Sequence, residues 1–286
     1  AGNITAVSHV YEVDDTCGGL PVTIHGTTGD DDLKGTSGPD VIRGYGGADT
    51  ISGVGGDDRL CGDLGDDLLL GGPGDAWMWG GGDTDKLRGA AGDDRLHGGA
   101  GSDRLLPETG NASLDGGPGS DIADYLAADG PIDIDLAAGI SIYTPPGESW
   151  THTLRLMEKV DGTPYDDLIE GDGRRNVLRG KHGDDVIFGH DGPDDLIGGL
   201  DEDQLHGDAG DDLVKGQGND DLLWGGADDD TMRGGHGNDD LWGETGADRL
   251  WGGLIAHQNL FTNHLDGGPG IDTCRWDFDP QTNCNP

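Results

Sequence analysis

The chain has 286 residues, 57 of them acidic and 17 basic, for a net charge of −40. A field of that sign makes nucleic acid and anionic membrane poor partners and makes cations the natural ones. No apolar run reaches the length of a membrane-spanning helix, and the Gly-rich, aromatic-poor composition borders on disorder unless a regular pattern opposes it.

Residues 1–25 read as an N-terminal cap. The chain starts at Ala1 rather than Met, as expected of a mature product whose signal has been removed. Its four cysteines lie toward the two ends: Cys17 and Cys61, then Cys274 and Cys284. An even number in an exported protein points to disulfides, with neighbours paired. Free Cys61 and Cys274, packed as small apolar residues, are the alternative.

A first array fills 26–124 with eleven nine-residue units in unbroken register, and a second fills 162–251 with ten more. In Gly53-Val-Gly-Gly-Asp-Asp-Arg-Leu-Cys61 the first and fourth places are Gly, the sixth is Asp and the eighth is apolar. Across the 21 units the first place is Gly in 20, the sixth is Asp in 18 and the eighth is Leu, Ile, Val or Met in 20. Self-similarity of that strength has to be explained before any single residue. Gly at the first and fourth places allows the positive φ of a tight turn, and Asp or Asn at some fourth places tolerates it next best. Tyr165 and Arg174 do not fit that account and mark an irregular restart. Places seven to nine form a three-residue strand whose middle side chain faces inward.

Six turn residues and three strand residues cannot make an ordinary hairpin sheet. They can wind a coil of two units per turn, with strands stacked at about 4.8 Å into a rod about 50–60 Å long. The fold expected is all-β: a parallel β-roll, or β-solenoid, with irregular caps and one central insertion. Two facing apolar columns form its core, Leu33, Ile51, Leu69, Leu87 and Leu105 against Ile42, Leu60, Met78 and Leu96. Residues 125–161 break the period; the alternation of Ile132, Ile134 and Leu136 with Asp133 and Asp135 predicts a strand, and Ile140, Ile142 and Tyr143 a second. The segment is read as one or two enlarged coils within a continuous rod, a hinge being the alternative. Residues 252–286 hold an outward loop over 252–266, a last unit over 267–275 with Cys274 inward, and a cap.

The sixth place carries the chemistry. On a two-unit coil, residues 18 apart lie above one another. Asp31, Asp49, Asp67, Asp85, Asp103 and Asp121 then form one column, and Asp167, Asp185, Asp203, Asp221 and Asp239 another. The opposite columns hold Asp40 and Asp58, then Asp194, Asp212, Asp230 and Asp248, with gaps at Ala76, Ala112 and Asn176. Ala76 and Ala112 leave Asp94 without stacking partners. Carboxylates at strand spacing repel unless a cation lies between them. Ca2+ fits, because it takes six to eight oxygens flexibly and the turns also offer carbonyls; Mg2+ demands stricter geometry, and softer metals would need clustered His or Cys. Adjacent Asp pairs predict about 13 sites, whose occupation would offset about 26 negative charges. Plain turn capping by Asp is the bland alternative.

These residues resemble the hemolysin-type calcium-binding repeats, the RTX nonapeptides, with Gly98-Gly-Ala-Gly-Ser-Asp-Arg-Leu-Leu106 and Gly116-Gly-Pro-Gly-Ser-Asp121 as close matches. Thr16-Cys-Gly-Gly-Leu-Pro-Val-Thr-Ile-His-Gly26 is similar to the lead-in of secreted bacterial repeat proteins, and Met157-Glu-Lys-Val-Asp-Gly-Thr163 to the segment that restarts such arrays. The resemblance implies a parallel β-roll, Ca2+ held by sixth-place Asp side chains and turn carbonyls, and secretion to a calcium-rich exterior such as a cell surface or matrix. The departures at Ala76, Ala112 and Asn176 put their own sites in doubt.

No His-Glu-x-x-His, Gly-x-Ser-x-Gly or Gly-Lys-Ser/Thr motif occurs, so no enzymatic activity is expected. His97, His182 and His236 read as solvated surface residues. Outward ninth places 18 apart line up Phe188, His206, Trp224 and Trp242, and Trp77 and Trp79 flank Met78. Such a ladder would stack on sugars, join subunits, or be covered by the chain's own loops. The open edges at the rod's ends would be capped or would dock head to tail as a filament. The expected function is a secreted calcium-binding structural protein that folds on binding and assembles end to end. A glycan-binding adhesin is the alternative, and an ice-binding solenoid fits poorly because the outward places are mixed.

Overall fold

The computed structural model describes residues 15–253, 263–276 and 279–282. It is a parallel β-solenoid of stacked coils without helix among the described residues, and so without a helix long and apolar enough to cross a membrane. Strands alternate between two facing sheets. One begins at Ile24–His25 and ends at His264–Asp266; the other begins at Asp32–Lys34 and ends at Asp279–Thr282. Each strand pairs in parallel with the strand one coil away, so the 18-residue spacing becomes strand register: Leu33 faces Ile51, and Ile51 faces Leu69. Many strands are longer than three residues, as in Val41–Gly46 and Leu222–Ala227, because the turn that follows stays in register with the next one.

The eighth-place side chains meet between the sheets. Ile51, Leu69, Leu87 and Leu105 on one side and Ile42, Leu60, Met78 and Leu96 on the other are fully or almost fully buried, while Leu33 in the first coil is partly exposed. Their seventh- and ninth-place neighbours face out, which is the period-two rule at work.

The insertion adds strands to one sheet. Ile132–Asp135 pairs in parallel with Leu168–Glu170, and Trp150–Arg155 in parallel with Ser113–Asp115. Ile140–Tyr143 lies antiparallel between them, a departure from the all-parallel expectation. Three strands therefore stand in this sheet where a regular coil supplies one. In the other sheet Ile122–Asp124 pairs directly with Lys159–Asp161.

At the N-terminal end, the antiparallel pair Thr16–Cys17 and Leu20–Pro21 is fastened by a Cys17–Cys61 disulfide. Cys274 is inward and also disulfide-bonded; its expected partner, Cys284, lies outside the described residues. So does most of the predicted loop over 252–266, although Leu265 keeps the inward register opposite Leu241. Antiparallel Asp279–Thr282 closes the C-terminal edge of the second sheet.

A core two columns wide has little room to relax around a cavity. Leu87→Ala is expected to cost about 2–5 kcal/mol, and Leu33→Ala, at the partly exposed first coil, clearly less. Denaturant unfolding in saturating calcium compares them.

Candidate metal centres

Positive φ falls at the second and fourth places of the turns, not the first. Tyr45, Val54 and Asp63 take it at the second place, and Gly47, Gly56, Gly65 and Asp83 at the fourth. The first-place glycines are needed for space. A Cβ on Gly62 would lie 2.1 Å from its own turn's Asp67 Oδ2 and 2.7 Å from the Gly80 carbonyl oxygen of the next coil. Gly80 and Gly98 repeat the arrangement, with Asp85 Oδ2 and the Gly98 oxygen around one and Asp103 Oδ2 and the Gly116 oxygen around the other. Omitting one methyl group per turn thus leaves a small cradle lined by a carboxylate oxygen and a main-chain oxygen.

The two oxygens of each aspartate have different surroundings. Oδ1 accepts the backbone N–H of the sixth-place residue one coil back: Asp67 from Asp49 at 2.8 Å, Asp85 from Asp67 at 2.9 Å, Asp212 from Asp194 at 2.7 Å. Oδ2 is buried and has no hydrogen-bond partner in Asp49, Asp67, Asp85, Asp103 and Asp121, in Asp58 and Asp94, in Asp185, Asp203, Asp221 and Asp239, and in Asp194, Asp212, Asp230 and Asp248. A buried carboxylate oxygen left unpaired costs far more than a hydrogen bond returns. Burial accordingly pushes these carboxyls up, to about 6 in Asp67, about 7 in Asp85 and about 9 in Asp185 and Asp221. Oxygen-only cradles with flexible turn carbonyls suit a hard divalent ion, and Ca2+ above Mg2+. Among the described residues no cluster of three or more His, Cys, Asp or Glu is placed to hold a metal ion. The cradles combine side-chain and main-chain oxygens instead.

Three predicted ligands stand apart. Asp31 Oδ2 accepts the Thr27 N–H at 2.6 Å and its hydroxyl at 2.9 Å; Thr36 does the same for Asp40, and Thr163 donates through both groups to Asp167. These turns and the following Asn176 turn begin the arrays and lack positive φ at both places, which explains why Tyr165 and Arg174 are tolerated at the fourth. Conversely, Asp94 belongs with the orphaned set. Its Oδ1 accepts the Ala76 N–H at 2.9 Å, and the spot for a Gly89 Cβ lies between its Oδ2 and the Pro107 carbonyl. Counting Asp-to-Asp stacks missed it because the second oxygen comes from the backbone of the next coil. Asp272, sixth in the last unit, also accepts the Asp248 N–H, at 3.1 Å.

The two edges of the roll differ. The edge of Asp31 to Asp121 continues in the second half with Asn176, Asp194, Asp212, Asp230 and Asp248. The edge of Asp40 and Asp58 passes Ala76 and Ala112, reaches the insertion, and resumes at Asp167. At that interruption His152 is fully buried. Its Nε2 donates to the Gly110 carbonyl and its Nδ1 accepts from the Tyr125 hydroxyl, both at 3.0 Å, and burial lowers its pKa to about 4. A neutral polar plug thus occupies the level where a sixth-place carboxylate would sit.

The aromatic ladder forms as a stack. Ring centroids are 4.6 Å apart for Phe188–His206, 4.2 Å for His206–Trp224 and 4.8 Å for Trp224–Trp242, with planes within 12°. The faces of His206 and Trp224 are therefore occupied by their neighbours, leaving ring edges outward. Trp77 lies under the guanidinium groups of Arg59 and Arg95. His182 and His236 are exposed, and His97 is partly so, with Nδ1 3.6 Å from Asp115.

A two-sheet parallel roll with an oxygen cradle between successive turns defines a calcium-binding structural repeat. The family model for the RTX calcium-binding nonapeptide repeat, in four copies, matches residues 25–60, 46–78, 70–105, 79–114, 161–196, 197–232 and 224–254. The chain belongs to that family, whose repeats bind calcium. No curated protein matches it as a relative.

Two measurements follow from the cradles. Their carboxyls sit above the unfolded Asp range near ~3.9. Without metal, the stability that protonation confers is therefore complete below about pH 4 and lost as pH rises through about 6 to 9. Metal-free protein is expected to show roll-like circular dichroism near pH 4 and lose it above that window. Calcium affinity is expected to fall on acidification, because protons and metal compete for the same oxygens. Separately, Gly80→Ala should raise the calcium midpoint of folding at least tenfold, whereas Gly29→Ala, with open space around its Cβ, should leave it nearly unchanged.

Proposed function

We propose that the chain is a secreted, calcium-dependent structural rod, folded where calcium is plentiful and loosened where it is scarce. The observation that carries this reading is the set of buried, unpartnered Oδ2 atoms. A core two side chains wide does not offset that many desolvated carboxylates, and oxygen ligation by calcium does, so metal-binding free energy becomes folding free energy. The ions proposed lie at the cradles of Asp49, Asp58, Asp67, Asp85, Asp94, Asp103 and Asp121 in the first array. In the second they lie at those of Asp185, Asp194, Asp203, Asp212, Asp221, Asp230, Asp239 and Asp248. Asp31, Asp40 and Asp167 play a lesser part, because each already shares an oxygen with a threonine.

The Cys17–Cys61 disulfide and the bonded state of Cys274 support an oxidising exterior. Association of rods would use the N-terminal end. Ile24–His25 and Asp32–Lys34 have no further strand beyond them among the described residues, whereas the C-terminal edge of the second sheet ends in an antiparallel strand.

Circular dichroism during chelation and calcium return tests the reading. Chelated protein at neutral pH is expected to lose most of its strand signal, regain it with calcium and regain little with magnesium. Asp67→Asn and Asp85→Asn should each shift the calcium midpoint upward. A strand signal indifferent to chelation would sink the proposal.

A further inference from the structure

The repeat matches stop at residue 114 and resume at 161, so the junction between the arrays lies outside them. On one edge the sixth-place ladder nevertheless continues across it. Lys159 pairs with Ile122 and Val160 with Ala123, which puts Glu158 at the level of Asp121 in the next coil. Glu158 Oε2 accepts the Asp121 N–H at 2.9 Å, the bond that an Asp Oδ1 accepts elsewhere in the roll.

The turn that carries Glu158 is not a repeat turn. Nine residues separate inward Leu114 from Ala123, but only six separate Leu154 from Val160, their partners one coil on. The Gly-rich segment is missing, yet its oxygen is replaced. Leu156 adopts positive φ, at 52°, and its carbonyl oxygen lies 2.3 Å from the spot a Gly116 Cβ would fill. Asp121 Oδ2 lies 2.5 Å from the same spot, on a fully buried residue, without a partner. Around the repeat cradle of Gly98 the corresponding oxygens, from Asp103 and Gly116, lie at 2.4 and 2.7 Å. A longer acidic side chain on a shorter turn keeps its carboxylate in the ladder. The charges facing the position are Asp103, Asp121 and Glu158 against Lys159; Lys159 Nζ donates to the Ser120 carbonyl at 3.3 Å.

We propose that the Asp121 cradle, beyond the last matched repeat of the first array, is completed by two non-repeat groups, the Leu156 carbonyl and Glu158, as a calcium site that clamps the first array to the coil leading into the second. The proposal rests on the calcium reading of the repeat cradles. It makes the junction asymmetric: an ion on this edge, the His152 plug on the other.

Native mass spectrometry of the whole chain at saturating calcium counts bound ions directly. Glu158→Gln is expected to carry one calcium fewer than wild type, and Glu158→Asp, too short to reach, the same deficit. Glu148→Gln, in the exposed insertion loop, should keep the full number. Calcium-dependent melting of Glu158→Gln should split into two transitions where wild type shows one. A full complement of ions in both Glu158 variants would overturn the proposal. So would failure of both to fold in excess calcium, which would make Glu158 a hydrogen-bonding residue of the junction rather than a ligand. A wild-type chain that bound no calcium would instead sink the reading of the repeats themselves.

Discussion

One oxygen atom per turn governs this molecule. Apart from Asp167, whose oxygens Thr163 and Ile132 satisfy, the buried sixth-place aspartates of the two arrays accept a backbone N–H of the coil before them at Oδ1 and leave Oδ2 without a protein donor. The second-place N–H that Thr27 gives to Asp31 is spent elsewhere in such a turn, as where Gly99 N–H donates to the Gly116 carbonyl of the next coil. Nor can the turn move the oxygen into water while the eighth-place side chain two residues on stays in the core. Apolar register and carboxylate burial are thus one constraint, and only a cation or a proton relieves it. The small first-place residue follows from the same constraint, since any Cβ there would occupy the cradle.

Charge is sorted to match. The turns hold the acidic excess, whereas most basic residues sit at outward strand places, where they meet carboxylates that need no metal. Arg104 reaches Asp124 at 2.6 Å and Asp161 at 2.9 Å; Arg179 and Lys181 reach Asp161 at 3.1 and 3.0 Å. Burial alone would raise the carboxyl of Asp161, but Lys181, Arg104 and Arg179 hold it below the usual carboxylate range. Asp161 and sixth-place aspartates such as Asp185 and Asp221 are all buried, yet their carboxyls are shifted in opposite directions. The difference is whether the protein itself brings the positive charge.

Most of the fold was legible because a strict period of nine leaves few ways to bury one apolar side chain per unit. The paired columns and the strand register follow from it, while the Cys17–Cys61 bond was expected from the nearness of the two cysteines. The candidate site was legible to the level of the residue but not of the atom. Asp94 looked isolated because its neighbours 18 residues away are Ala76 and Ala112, yet its cradle needs only a carbonyl from Pro107. Asp31, Asp40 and Asp167 were not distinguished from the other sixth-place aspartates because the pattern does not show that a second-place threonine turns its hydroxyl back on them. The strand at Ile140–Tyr143 was expected, but not its antiparallel direction, which its local pairing with Ile132–Asp135 and Trp150–Arg155 sets. The plug around His152 was hidden because it depends on contacts between segments 27 to 42 residues apart that no period announces.

The threonine turns and the plug together give the rod a gradient of carboxylate satisfaction. Each array opens with turns whose carboxylate or amide is satisfied internally, Thr27 to Asp31, Thr36 to Asp40, Thr163 to Asp167 and the Asp172 N–H to Asn176. The first coil of each array therefore holds no orphaned carboxylate oxygen, and it presents a formed strand pair to the next coil. Every later coil adds at least one orphaned oxygen. The insertion, closed by Tyr125, His152 and the Tyr143 hydroxyl on Asp129, likewise leaves no orphaned sixth-place carboxylate at the level of His152, and it lies just before the second array's opening turns. Internally satisfied turns thus stand at the start of both arrays, and on the calcium-dependent reading proposed above the ions would act where the chain extends a template already in place.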